Sequence, residues 1–284
     1  MSALTLRRMQ ASDLEFAASL TRIEKWHSET LEEFEGFFAH DPAGCVIAEQ
    51  DGQRVGMGVA TVYQDVGFLG QIVIAHEFRG RGIGNLIVDS LLTHLRGKGV
   101  RSVYLDATKA GAPLYERHGF CKDQPSLRYA GEVRGVDHPQ VRLMRAEDFA
   151  MVCGLDRRWW GADRSFFLAR RWQLHGDLCH VLEEKGVIQG YVLARRRGDK
   201  LWIGPWCAAP HVERPEALLE ALAAPGSVVH IHAGVLASSE RAIRAFGELG
   251  IGCTNEPPWR MVAGPNSALG RSGEVLANGT SAKG

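Results

Sequence analysis

The chain lacks any CxxC pair. Its six cysteines, Cys45, Cys121, Cys153, Cys179, Cys207 and Cys253, stand singly, most of them beside apolar residues. Such spacing offers no disulfide framework, so free, buried thiols in a reducing cytoplasm are expected. It also lacks a charge surplus. Lys and Arg together number 33, as do Asp and Glu, so the formal net charge is zero. General binders of nucleic acid or membrane surfaces carry a basic excess, so neither partner is expected. No apolar run approaches the ~18 residues that a membrane helix needs. The opening MSALTLRRMQ has neither an apolar signal core nor transit-peptide character.

What is present is an ordinary globular composition: 284 residues, 45% hydrophobic and 23% charged. That length suits one large domain or two of roughly 130 residues, each able to bury its own core. The first half reads as mixed α/β. Strand patterns occur at 4–7, 45–49, 55–63, 67–74 and 103–105, and helix patterns at 31–40, 84–96 and 110–118. Ser12 and Glu15 have the spacing of a reciprocal helix cap. Asp51-Gly52 is a hairpin signal, because both residues tolerate positive φ.

The second half repeats the first. Leu6-Arg7-Arg8-Met9 is echoed by Val141-Arg142-Leu143-Met144, and Cys45-Val46-Ile47-Ala48-Glu49 by Cys179-His180-Val181-Leu182-Glu183. Val55-Gly56-Met57 is echoed by Gln189-Gly190-Tyr191, and 111–120 by 242–251. Four echoes in one order point to duplication of a single α/β unit. Residues 131–139 are polar and rich in breakers. The expected division is therefore 1–132, then 139–264, then a mobile, Gly- and Ser-rich tail over 265–284.

The stretch with chemistry in it is Ile72-Val73-Ile74-Ala75-His76-Glu77-Phe78-Arg79-Gly80-Arg81-Gly82-Ile83-Gly84. A buried strand leads into a glycine turn that opens a helix. Gly80, Gly82 and Gly84 let successive N–H groups converge, and the helix N-terminus adds a positive field. Arg79 and Arg81 add charge, so the local physics predicts a phosphate or pyrophosphate cradle. The spacing is not the dinucleotide GxGxxG, and no Lys-Ser/Thr pair makes it a P-loop.

The run Arg79-Gly80-Arg81-Gly82-Ile83-Gly84, followed downstream by Leu114-Tyr115-Glu116-Arg117-His118-Gly119-Phe120, closely resembles the GNAT acetyltransferase superfamily. The resemblance covers residue 3 to about residue 130. With the duplicated second half, it looks like a bacterial subfamily that pairs a GNAT domain with a degenerate GNAT-like one. It implies tandem GNAT folds of α/β (α+β) type, each a twisted, mixed but mostly antiparallel sheet flanked by helices and splayed between two central strands. It implies acetyl-CoA in that split, and no metal. The pyrophosphate would meet the N–H groups of Arg81, Gly82, Ile83 and Gly84, and the pantetheine would pair with Ile72, Val73 and Ile74. Thr108 stands where the family often has Asn, and Gly111 where it often has Ala.

Tyr115 matches the tyrosine that protonates the departing thiolate in the family; the plain alternative is an aromatic core residue. Asp106, near a strand end, is a candidate base or a mere helix cap. Glu24, Glu29 and Asp65 are further carboxylates on the acceptor side, each solvated by default. Trp26 and His27 lie in the connection that shapes the acceptor pocket in the family. They would either contact substrate or plug a core edge. His76 and His118 read as structural or surface residues.

The second half has no glycines in the turn that follows its corresponding strand, residues 209–216. Pro210 and Pro215 remove donors, Glu213 and Glu216 repel phosphate, and Phe246 stands in the place of Tyr115. It is expected not to bind acetyl-CoA. Trp159 and Trp160 read as packing or as pocket residues, and His230 and His232 as strand residues.

The implied activity is N-acetyl transfer to a primary amine of a small molecule. A non-catalytic acyl-CoA-binding regulator and a protein lysine or N-terminal acetyltransferase are the alternatives. A homodimer is left open.

Overall fold

A computed structural model describes residues 4–26, 30–254, 256–265, 268–280 and 282–284. In chain order the elements are β1 (Leu4–Arg8), α1 (Leu14–Ile23), α2 (Leu31–His40), β2 (Cys45–Gln50), β3 (Gln53–Tyr63), β4 (Val66–Ile74), α3 (Ile83–Gly97), β5 (Ser102–Ala107), α4 (Ala112–Glu116) and β6 (Cys121–Arg134). There follow β7 (Val141–Leu143), α5 (Phe149–Trp160), α6 (Ser165–His175), β8 (Cys179–Glu184), β9 (Val187–Arg197) and β10 (Lys200–Ala208). The last elements are α7 (Ala217–Glu220), β11 (Val228–Leu236), α8 (Glu240–Glu248), β12 (Trp259–Ala263) and β13 (Val275–Ala277). No helix among the described residues is long and apolar enough to cross a membrane. The six cysteines are free thiols.

The chain forms two compact units, and neither is contiguous in sequence. The first comprises Met1–Asp123, Trp259–Asn266 and Ser281–Lys283; the second comprises Gln124–Pro258, Ser267–Thr280 and Gly284. In the first unit the strands run β1-β2-β3-β4-β5-β12, antiparallel except for the parallel pair β4–β5. In the second they run β6-β11-β10-β9-β8-β7, with β10–β11 parallel and β13 beside β10. Thus β5 takes β12 as its antiparallel neighbour, Asp106 opposite Arg260, and β11 takes β6, Ile231 opposite Gly131.

The expected division at 131–139 differs from this, because each unit recruits a strand from the other half of the sequence. Duplication supplies the physical reason. The two units share one strand order, so the strand that follows the last helix of either half fits the same edge position.

The copies also share an ion cluster. Arg7 donates to Asp13 at 2.6 Å and to Glu49 at 2.8 Å. Arg142 makes the same fork to Asp148 at 2.6 Å and Glu183 at 2.5 Å. Asp13 also accepts the Gln10 N–H at 2.8 Å, as Asp148 accepts that of Arg145 at 2.7 Å. Asp13 thus closes the short 3-10 turn, Ala11–Asp13, that leads into α1; at the start of α1 itself no side chain caps the helix, so the cap expected of Ser12 and Glu15 does not form. The Arg7 guanidinium draws the Asp13 carboxyl down from 3.8 to about 2, against the opposing effect of burial. A carboxyl with a lowered folded value stabilises the protein above its unfolded value and stops doing so as pH falls. We expect Asp13→Asn to lower stability at neutral pH by about 2 kcal/mol. It should also flatten the loss of stability between pH 4 and pH 2, as read from thermal melts across that window.

In the first unit, α3 lays Ile83, Ile87, Val88, Leu91, Leu92 and Leu95 on the sheet face formed by Val46, Ala60, Leu69 and Leu105. Burying each such side chain contributes about 1.5–3 kcal/mol. This packing fixes the start of α3 over the centre of the sheet, where the strands part. β4 pairs with β5 only from Val66–Ser102 to Phe68–Tyr104. Just beyond, the register between β3 and β4 shifts: Val59 faces Gly70 and Met57 faces Val73. Two β4 residues therefore oppose one β3 residue, a bulge, and Gln71 takes φ +54° within it. The bulge bends β4 away from β5 and opens a cleft.

The tail expected to be mobile over 265–284 contains a strand. Val275, Leu276 and Ala277 are 3%, 1% and 1% exposed, and Ala282 and Lys283 are buried as well. The segment has few large side chains, but those few enter the cores. Backbone pairing, Ala208 N–H to Glu274 O at 2.9 Å and Asn278 N–H to Gly234 O at 3.1 Å, satisfies its polar groups.

Candidate active site

Gly80 and Gly82 have φ +76° and +80°, a region that costs an L-residue about 1–2 kcal/mol. Gly82 is the N-cap of α3, and a Cβ on either glycine would meet nothing within 4 Å. By position the Ile83 and Gly84 N–H groups at the start of α3 have no intrahelical acceptor, whereas those of Asn85 and Leu86 donate to the Gly82 carbonyl at 3.1 and 3.3 Å. Gly84 serves otherwise. A Cβ there would press on Leu114 at 3.2 Å, so this glycine lets α4 approach the start of α3.

A cavity of about 630 Å³ runs from this turn into the cleft. Ile72, Val73, Ile74, Arg79, Gly80, Gly82, Ile83, Gly84, Thr108, Gly111, Tyr115 and Trp26 all line it. Glu24, Phe78, Asn85, Ala110, Leu114 and Arg117 line it too. Most of these could be found from their neighbours in sequence: Asn85 follows Gly84 in the first helical turn, and Leu114 precedes Tyr115.

Arg79 pairs with Glu24, and its Nε donates to the Ile74 carbonyl at 3.0 Å, which bends the chain back across the mouth. Arg81 lies outside the lining. Its guanidinium donates to the Glu77 carbonyl at 2.9 Å and stands 5.1 Å from the Phe78 ring centroid. Thr108 Oγ1 accepts the Gly111 N–H at 3.2 Å and so starts α4. Tyr115 sits in α4 against Gly111, its ring 6.0 Å from that of Phe120 in an edge-on pair. The side chain is half-buried at the cavity wall, and burial pushes its phenol up to about 12.

Asp106 needs correction as a candidate base. Its carboxylate accepts from Arg260 Nε at 2.6 Å, both side chains are 3% exposed, and neither residue lines the cavity. A carboxylate held by a buried guanidinium is structural. Removing one partner would leave an uncompensated buried charge, a loss of about 3–5 kcal/mol. The proposed substrate residues His27 and Glu29 lie outside the described residues.

In the second unit, four-residue α7 occupies the chain position that fifteen-residue α3 holds in the first. Phe246 is fully buried and stacks on Tyr129 at 4.3 Å. Trp159 and Trp160 are 7% and 1% exposed and pack in the core. His230 and His232 lie 5.2 Å apart on β11. Among the described residues, no group of three or more His, Cys, Asp or Glu could hold a metal ion.

Parted central strands with a glycine-turned helix start at the opening define the GNAT acetyltransferase class. Residues 8–120 match the acetyltransferase (GNAT) family and residues 152–277 an acetyltransferase (GNAT) domain, and the chain belongs to this family. Over 97 residues it is 34% identical to a mycothiol acetyltransferase of Streptomyces coelicolor, covering 32% of this chain and 31% of that one. The chain thus spans about a third of the length of the mycothiol acetyltransferases it matches. Identity to the uncharacterized N-acetyltransferase YitH of Bacillus subtilis is 25% over 161 residues, 55% of this chain and 56% of the relative. A putative acetyltransferase from Pyrococcus horikoshii shares the fold over 99% of this chain and 96% of its own, with a TM-score of 0.83 at 22% identity.

Proposed function

We propose that the first unit transfers an acetyl group from acetyl-CoA directly to a primary amine of a small molecule. The observation that carries this reading is one cavity reaching from the glycine turn at 80–84 to Tyr115. The turn suits a pyrophosphate, because two positive-φ glycines and the start of α3 gather backbone N–H groups beside the cavity, and a Cβ on either glycine would meet nothing within 4 Å. The volume of about 630 Å³ suits a cofactor-sized ligand. Arg79, Gly80, Gly82, Ile83 and Gly84 would hold the pyrophosphate. Ile72, Val73 and Ile74 would pair with the pantetheine, and Thr108 and Gly111 would form the opposite wall.

When bound, acetyl-CoA supplies an acetyl group activated as a thioester. Tyr115 keeps its proton and offers it as a hydrogen bond where negative charge builds on sulfur. The incoming amine must shed a proton before its lone pair can attack. Glu24 is the carboxylate in the described lining that can take it, directly or through water, once the phosphate draws Arg79 from its pairing with Glu24. That several relatives are named mycothiol acetyltransferases supports a small acceptor over a protein one.

The test is release of free CoA thiol on mixing protein, acetyl-CoA and single amines: amino sugars, polyamines, amino acids and short peptides. We expect saturable release with at least one small amine. Release no faster than without amine would overturn the transferase reading, and release with peptides alone would overturn the small-molecule part.

A further inference from the structure

The strands beside the cleft have two faces. Leu69, Val103, Leu105 and Ala107 pack with α3, so Phe68, Gly70, Tyr104 and Asp106 alternate to the opposite face. On that face of the first unit lies a short piece of the chain itself, residues 282–283. A Cβ on Gly70 would collide with Ala282, so the missing side chain is what admits the segment. Tyr63 Oη donates to the Lys283 carbonyl at 2.8 Å. The Lys283 ammonium donates to the Glu33 carboxylate on α2 and stands 4.7 Å from the centroid of the Phe37 ring. The whole residue is 5% exposed.

A carboxylate beside an aromatic face is the chemistry that recognises a primary ammonium group. The segment that fills the pocket covers Gly70 with Ala282, one residue from the bulge at Gln71 where β4 leaves β5 and the cleft opens. The pocket's surroundings hold more polar capacity than the segment uses. Thr61 Oγ1 and Arg260 Nη2 are buried with no hydrogen-bond partner among the described residues. Both flank Phe68: Thr61 faces it across the β3–β4 ladder, and the Arg260 guanidinium lies 5.4 Å from its ring centroid.

We propose that Glu33 and Phe37 form a primary-alkylammonium site, with Tyr63 holding the carbonyl of its present occupant, and that Lys283 fills it as an internal competitor of the amine acceptor. The role of acceptor rests on the transferase reading above; the ammonium site does not. While Lys283 donates to Glu33 it is protonated, and an ammonium has no lone pair to attack a thioester. The segment therefore blocks the site without being consumed in it. Holding a lysine side chain in one rotamer costs up to about 2 kcal/mol of entropy, which favours its release when another amine takes the place. An outside amine then meets an apparent affinity lowered by the fraction of time the site stands open.

The test is calorimetric titration of Nα-acetyl-L-lysine methylamide and of n-pentylamine into the full chain in the presence of CoA. Lys283→Ala should tighten binding of both probes by about tenfold or more. Lys283→Gln, which keeps the length and loses the charge, should act in the same direction. Lys283→Arg, which keeps the ion pair, should stay near wild type. Adding Glu33→Gln to Lys283→Ala should remove the gain. Unchanged binding in both neutral variants would overturn the proposal, and so would a gain that survives Glu33→Gln. Acetylated Lys283 found by mass spectrometry after incubation with acetyl-CoA would overturn the competitor role. Failure of acetyl-CoA itself to bind would sink the transferase reading while leaving the amine result standing.

Discussion

Gly82→Glu is expected to weaken acetyl-CoA binding at least about a hundredfold in a calorimetric titration. Two costs combine. The first is backbone strain: Gly82 holds φ +80° as the N-cap of α3, and a side chain there costs about 1–2 kcal/mol. The second is charge. A Cβ on Gly82 meets nothing within 4 Å, so the new carboxylate would reach freely into the space where the phosphates are proposed to sit. Like charges about 4 Å apart at an effective dielectric of 20 repel by about 4 kcal/mol. Gly82→Ala separates the terms. It carries the strain without the charge, so it should lower stability by about 1–2 kcal/mol and weaken binding only a few-fold. Equal affinity of Gly82→Glu and wild type would place the anion elsewhere. Equal loss in both variants would make the defect one of backbone shape.

The glycine turn was legible because its requirement is local. Positive φ at two alternating positions and a helix start are all set within Gly80, Gly82 and Ile83. The place of Tyr115 at the cavity wall was legible for the same reason, since Gly111 and Thr108 build its short helix from adjacent residues. Asp106 was misread because its partner Arg260 lies 154 residues away, on a strand recruited from the other half of the sequence. No local pattern announces that exchange. The strands that trade places, β6 and β12, each follow the last helix of their half, so either order fills the same place in a GNAT sheet. The segment at 275–283 was misread because its composition resembles a solvated linker. Its order comes from a few contacts, Leu276 in a core, Ala282 over Gly70 and Lys283 on Glu33, that composition does not reveal.

Tyr115→Phe is expected to lower kcat by about a hundred- to a thousandfold while leaving acetyl-CoA affinity unchanged. The substitution keeps the ring, its edge-on contact with Phe120 and its packing at Gly111, and removes only the hydroxyl. The phenol pushed up to about 12 sets what that hydroxyl can do. A thiol has an ordinary value of about 8.5, so the phenol is a weaker acid than the group it is proposed to assist. Complete proton transfer is therefore late; the early contribution is a hydrogen bond to sulfur as charge develops. The sign for pH follows. The neutral phenol is favoured in the folded protein, so its contribution to stability is intact below an unfolded value near 10 and fades as pH rises toward 12. Activity should then show no basic limb from Tyr115 below about pH 11. A wild-type limb between pH 8 and pH 10 that vanishes in Tyr115→Phe would overturn this account, and so would a phenylalanine variant with full kcat.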